Sequence, residues 1–238
     1  MLREGENHLG LHAMSRFLSR IFLLFLAVAF LCVGTTPARA VPLSDLLVGG
    51  ASIMSDGLRF SMFQYSSTGD MPAAMDVNVT PFVDFDGNYG LRFQGAFLDT
   101  PGTPAASDAG LSFKVEVIEG ALITDAHLYG DPNMIPDPIA DGFVTVTETI
   151  DGAHQMEIYA FSDPALGSKF ADWVIFDPTS ELNLVVKDIL AFARIGIGTV
   201  SVIDQTFSRV RIPIPEPGTM LLLGFGLAGL AVTGRKRS

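Results

Sequence analysis

Between residues 41 and 214 no long stretch repeats its apolar residues with the 3.6 period of an amphipathic helix, while several short ones alternate with period two. Leu111-Ser112-Phe113-Lys114-Val115-Glu116-Val117 alternates strictly, and Tyr89 to Leu98 alternates around Leu91, Phe93 and Phe97. That pattern puts one face of a strand in a core and the other in water. Leu58 to Tyr65 is a further aromatic-rich run. Phe143 to Ile150 leads into Asp151-Gly152 and then Gln155 to Phe161. Asp-Gly readily adopts the positive φ angles of a tight hairpin, and β-branched residues flank it. Asp86-Gly87, between Phe82–Phe85 and Tyr89–Phe93, predicts a second hairpin.

Further strands are expected at Leu122–Leu128, Trp173–Phe176, Leu182–Ile189 and Gly198–Ile203, with Phe207–Ile212 leading out. Ser44–Val48 and Pro164–Ala171 are the weak helix candidates. Thr100–Asp108 and Asp131–Pro138 read as loops without a strand pattern. About ten short strands separated by Gly, Pro and Asp clusters favour an antiparallel arrangement over an α/β fold. The expected fold is therefore all-β, an antiparallel β-sandwich or jelly-roll-like ectodomain. An N-terminal signal helix and a C-terminal single transmembrane helix are expected to flank it.

The two ends are read from local composition. Arg16 and Arg20 precede the apolar stretch Ile21–Val33, and Ala38-Arg39-Ala40 supplies an A-x-A cleavage pattern. A positive region, a short apolar region and small residues at the cut describe a secretory signal peptide, with Val41 as the first mature residue. Met14 opens a more ordinary signal than Met1 does. Cys32 follows Leu31, where a lipoprotein site wants a small residue, so a lipid anchor is not expected. At the other end, Gly218 to Gly234 is 17 residues without a charge, closed by Arg235-Lys236-Arg237. As a helix it spans about 25 Å, the short end of what crosses a bilayer core of about 30 Å. Terminal cations stay on the cytoplasmic side. Pro213, Pro215 and Pro217 stop any helix from running back into the domain. Gly224-Phe225-Gly226-Leu227-Ala228-Gly229 spells G-x-G-x-x-G, but it follows no strand and only nine residues remain after it. Close helix packing explains it better than a dinucleotide site.

The single cysteine lies in the signal, so the exported part cannot form disulfides. Residues 41–214 carry 8 Lys and Arg against 23 Asp and Glu, a net of −15 over 174 residues. That balance excludes nucleic acid as a partner, since binding it needs clustered cations to displace counterions. The length is one domain's worth.

Few residues suggest chemistry. Asp84, Asp86 and Asn88, in Asp84-Phe85-Asp86-Gly87-Asn88, offer oxygens at alternating positions around a glycine. Calcium takes six to eight such ligands, so this is at most part of a site, to be completed by Asp99 or by Asp131 and Asp137. A hairpin turn that favours Asp, Gly and Asn for backbone reasons is the plainer reading. His127 and His154 are the mature histidines, without zinc-site spacing. There is no G-x-S-x-G and no cysteine nucleophile, so no enzyme and no required cofactor are expected. Trp173 and Phe176 read as core residues; an exposed aromatic there would instead suit stacking on a sugar ring.

The tail Pro215-Glu216-Pro217-Gly218, apolar run, Arg235-Lys236-Arg237 resembles the PEP-CTERM sorting signal of bacterial envelope proteins, which a membrane protease called exosortase handles. Asp45–Gly50 with Gly57–Ser61, and Val185–Ile189 with Asp204–Ser208, are similar to openings and last strands in members of that group. The resemblance implies a division into signal peptide (1–40), ectodomain (41–212) and sorting signal (213–238). It further implies export by the general secretory machinery and a pause in the inner membrane through the C-terminal helix. Cutting near the Pro-Glu-Pro motif by exosortase would follow, then release to the cell surface or exopolysaccharide matrix. A permanent single-span anchor is the other end the residues allow. Two roles fit such a protein: a non-enzymatic structural or adhesive one, in a biofilm for example, or glycan binding with calcium assistance.

Overall fold

The computed structural model describes residues 39–102, 105–118, 120–136 and 139–212. The signal region and the sorting tail lie outside them. Fourteen strands are found among the described residues. They are β1 (Val41–Pro42), β2 (Ser52–Ser55), β3 (Leu58–Thr68), β4 (Asn78–Val83), β5 (Tyr89–Asp99), β6 (Ser107–Val117) and β7 (Ala121–Gly130). Then follow β8 (Asn133–Ile135), β9 (Asp141–Ile150), β10 (His154–Phe161), β11 (Ser168–Lys169), β12 (Ala171–Thr179), β13 (Glu181–Ile195) and β14 (Ile197–Arg211).

These strands form two antiparallel sheets. The first runs β1-β4-β5-β14-β7-β12, with β8 also paired to β14; the second runs β11-β10-β9-β13-β6-β3-β2. From β5 onward the chain largely crosses between the sheets: β5, β7, β12 and β14 lie in the first, and β6, β9 and β13 in the second. That alternation is why the core is continuous, because each crossing carries an inward face from one layer to the other. The fold is the all-β antiparallel sandwich expected from the sequence.

Aromatic rings tie the layers together. Phe93 on β5 lies 5.8 Å from Phe113 on β6, and Phe207 on β14 lies 6.1 Å from Phe60 on β3, centroid to centroid. All four are fully or almost fully buried. Tilted and offset ring pairs at this spacing add to what their burial alone contributes. In β6 the strict alternation is realised, with Leu111, Phe113 and Val115 buried and Ser112, Lys114 and Glu116 partly exposed.

The β9–β10 hairpin turns through Asp151 (φ +47°) and Gly152 (φ +69°), with Ile150 opposite His154. Asp151 also donates its backbone N–H to Leu184 O at 2.8 Å and accepts the Leu184 N–H on its carboxylate at 2.8 Å, fastening the turn to β13. The β4–β5 hairpin closes with Val83 opposite Tyr89.

Four local expectations are corrected. Pro164–Ala171 is not helical: a turn around Asp163–Leu166 leads into β11 and then β12. The helix near Ser44 is one short turn, α1 (Leu43–Leu46), with Leu43 and Leu46 buried. Asp131–Pro138, read as a loop, contains β8, which adds three residues to β14. Gly198–Ile203 and Phe207–Ile212 are one unbroken strand of 15 residues, β14.

The reason for that continuity is a polar centre in the core. Asp204-Gln205-Thr206 looks like a break, yet Gln205 points inward and is fully buried. Lys187 on β13 donates from Nζ to Gln205 Oε1 and to Glu148 Oε2 on β9, and both ion-pair partners are wholly shielded from solvent. Burial pushes the Glu148 carboxyl up and the Lys187 ammonium down, and their mutual attraction offsets this only in part.

Candidate functional site

Three strands put their outward residues side by side on the first sheet. Trp173 on β12 stands opposite His127 on β7, which stands opposite Thr206 on β14. Ile175, Asp125 and Ser208 form the next row, and Ala171, Tyr129, Asp204 and Arg92 the row on the other side. Directly opposed residues in antiparallel strands share a face at about 5 Å.

The middle of this face is a hydrogen-bonded network. His127 Nε2 lies 2.8 Å from Asp125 Oδ1 and 3.3 Å from Ser208 Oγ. Ser208 Oγ donates to Asn88 Oδ1 at 2.9 Å, and Asn88 Nδ2 donates to Asp84 Oδ2 at 3.0 Å. Thr206 Oγ1 donates to the same Asp84 oxygen at 2.7 Å. The rings of His127 and Tyr129 are nearly parallel, 5° apart, at 6.2 Å. Arg92 is held by Asp204 in a two-point contact with both distances 2.7 Å, and its guanidinium lies 4.1 Å over the Phe82 ring. Burial, aided by the charges of Asp84, Asp86 and Asp125, pushes the Tyr129 phenol up.

Asp, His and Ser meeting here do not form a nucleophilic relay. That arrangement needs the carboxylate on one ring nitrogen and the hydroxyl on the other. Here both contact Nε2.

The calcium candidates sit in the β4–β5 turn beside the network. Asp84 Oδ1 accepts the backbone N–H groups of Asp86 (3.0 Å) and Asn88 (2.9 Å), while Oδ2 accepts from Asn88 and Thr206. Four donors fill the lone-pair capacity of one carboxylate. Partial burial works to raise the Asp84 carboxyl, but these hydrogen bonds together outweigh it and hold it below the usual range. Gly87 takes φ +84°, the left-handed conformation that closes the turn. The turn therefore explains Asp84 and Gly87 without a ligand. Asp99 lies at the far end of β5, on the order of 30 Å away along the strand, where it accepts from Ser107 Oγ at 2.6 Å and Ala193 N at 2.8 Å. Asp131 accepts the N–H groups of Ser201 and Val202 at the same end of the sheet, and Asp137 lies outside the described residues. Among the described residues no three His, Cys, Asp or Glu side chains come together as a metal-binding group.

Trp173 corrects an expectation. It is 65% exposed, and Ile175 beside it on the same face is 72% exposed. The inward residues of β12 are Val174 and Phe176, packed against the core, with Phe176 5.4 Å from the His154 ring. Phe85, at the tip of the β4–β5 turn, is fully exposed. The network between these aromatics, and the Arg92–Asp204 pair, are not visible in the sequence because their members come from three strands and a turn, and each alone reads as an ordinary polar residue.

A cleft of about 960 Å³ opens at the end of the sandwich near Ile212. Asp86, Asn88, Tyr89, Met54 and Arg209 are among its walls. Arg209 pairs with Asp56 at 2.8 Å and lies 5.2 Å over Tyr89.

Of the sorting and cleavage residues, only Ala40 lies among the described ones; it is exposed and immediately precedes β1. Ala38, Pro215, Glu216, Pro217, Gly218, Arg235, Lys236 and Arg237 lie outside them. Among the described residues no helix is long and apolar enough to cross a membrane.

Residues 213–237 match the PEP-CTERM protein-sorting motif. No curated protein matches the chain. Among solved structures, the chain is similar to TmCBM61 in complex with beta-1,4-galactotriose, at 12% identity and TM-score 0.28, over 60% of this chain and 88% of that one. It is also similar to TmCBM27, a carbohydrate-binding module described for specific mannan recognition, at 14% identity and TM-score 0.28, over 71% and 95%. The enzymatically active domain of bacteriophage CBA120 tailspike protein 4 matches at 10% identity and TM-score 0.29, over 61% and 19%. Likeness at these scores assigns this chain no ligand. The sorting motif, by contrast, implies export and sorting to the cell envelope by exosortase-type machinery.

Proposed function

We propose that this chain is a non-enzymatic structural or adhesive protein of the cell surface or exopolysaccharide matrix, made as a precursor with removable ends. The observation that carries this reading is where the sandwich stops. β14, paired with β5, β7 and β8, ends at Arg211, and a single residue separates it from the sorting motif at 213. A cut near Pro215–Glu216–Pro217 would leave every strand intact. A cut after Ala40 would likewise spare β1, whose Val41 pairs with Val79. In this reading the secretory machinery exports the chain, the tail holds it in the inner membrane, and exosortase trims it.

Changing Glu216 to Ala, or deleting Arg235–Arg237, is expected to leave a larger, unprocessed species in the inner-membrane fraction. Immunoblotting of fractionated cells would read this. Normal maturation of both variants would reject the sorting route.

Glycan binding is the second reading, favoured by the exposure of Trp173 beside a polar sheet face. With Asp84 satisfied by four donors, calcium assistance would have to come from other ligands.

A further inference from the structure

We propose that the outer face of the first sheet, from Trp173 and Ile175 on β12 across His127 and Tyr129 to the Asp84–Asn88 turn, binds a neutral hexose polysaccharide with Trp173 as the stacking platform. This deepens the glycan-binding reading and rests on it.

An indole that is 65% exposed on a regular strand leaves a large apolar ring in water, and Ile175 extends it along β12. The surface around it is polar. A protein–protein interface core would want several adjoining apolar residues, and here the neighbouring strands present the partly exposed His127, Asp125 and Ser208 instead. A hexose has that dual character: an apolar C–H face to lie on the ring, and hydroxyls around its edge. The hydroxyls would meet donors and acceptors already locked by one another, from Tyr129 through His127 and Ser208 to Asn88. A network fixed before binding loses little entropy on binding.

From β12 to β5 is three inter-strand steps, about 14 Å at ~4.8 Å each. Phe85, in the β4–β5 turn beyond β5, is fully exposed and offers a second aromatic surface at that side of the sheet. Charge chooses among glycans. Asp84, Asp86 and Asp125 sit on or beside this face, and the cations around it, Arg92, Lys169 and Arg209, are paired with Asp204, Asp172 and Asp56. A polyuronate or an anionic membrane would be repelled, whereas a neutral hexose polymer would not.

The test is affinity electrophoresis of the full chain, in mild detergent, through gels containing neutral glucan, galactan or mannan, or polygalacturonate. Retardation by at least one neutral polymer and not by polygalacturonate is expected. Trp173→Ala should weaken it at least about tenfold, and Trp173→Phe should keep most of it. Both variants should melt with the parent protein, because the ring supports no core contact. No retardation by any neutral polymer, or unchanged retardation in Trp173→Ala, would overturn the proposal. So would a Trp173-dependent association with phosphatidylglycerol vesicles or with a second copy of the chain, read by sedimentation. None of these outcomes bears on delivery, which fractionation tests separately.

Discussion

Replacing Lys187 by Met should destabilise the sandwich by about 3–5 kcal/mol, one of the largest effects available to a single side chain here. Lys187 is wholly buried and bridges Glu148 on β9 to Gln205 on β14, so its loss strands a carboxylate and an amide oxygen between the sheets. For a domain of this size the melting temperature would fall by about 6–20 °C. The deficit should depend on pH with a definite sign. Burial raises the Glu148 carboxyl, and without Lys187 only the hydrogen bond from Gln205 still opposes that. A group whose folded value lies above its unfolded one supports the fold below the unfolded value and ceases to as pH rises through the folded one. The variant should therefore recover stability at mildly acidic pH, where Glu148 becomes neutral. Changing Lys187, Glu148 and Gln205 together to Met, Leu and Leu should restore most of the loss, since apolar residues of similar volume replace a buried ion pair at little cost. Thermal melts across pH 4–8 would check all of this. A single variant as stable as the parent at neutral pH would mean that the three groups are not buried together.

Gly90→Ala should be nearly as damaging. Gly90 lies on β5 opposite Thr206, and a Cβ there would stand 1.7 Å from the carbonyl oxygen of Gln205 and 2.6 Å from the Thr206 Cα. Backbone atoms cannot swing aside as a side chain can, so β5 and β14 would have to separate at the middle of the first sheet. A cost of about 3 kcal/mol or more is expected, at the upper end of overpacking effects. Gly49→Ala is the matched control, since a Cβ there meets nothing within 4 Å. Denaturant unfolding of both would separate a steric cause from a general intolerance of side chains at glycines.

The strands were legible where one face is buried and the other wet, as in β6, because alternation records that difference directly. The β9–β10 hairpin was legible from Asp151-Gly152, since its positive φ angles suit few other residues. β12 shows where local reading stops. Trp173-Val174-Ile175-Phe176 is apolar on both faces, so nothing in it says which pair looks inward. The edge position beside β7 alone decides, and it turns Trp173 and Ile175 out. β8 and β11, three and two residues long, are held by their partners β14 and β10 rather than by pattern of their own. Glu148 had left a trace: it occupies the inward register of Val144, Val146 and Ile150, a place for a charge only when a partner waits across the strands. The turn at Asp84–Asn88 was read for its oxygens. What the sequence could not say is that Asp86, Asn88 and Thr206 occupy those of Asp84. The sorting tail needed no tertiary information, because a Pro-Glu-Pro motif, an apolar run and terminal cations are all local.

The most direct measurement is the intact mass of the protein recovered from outside the cells that make it. A species beginning at Val41 and ending within or just beside Pro215–Pro217 is expected, a sandwich trimmed at both edges with every strand kept. Full-length chain, from Met1 or Met14 to Ser238, found in the cytosol and not associated with lipid would contradict it.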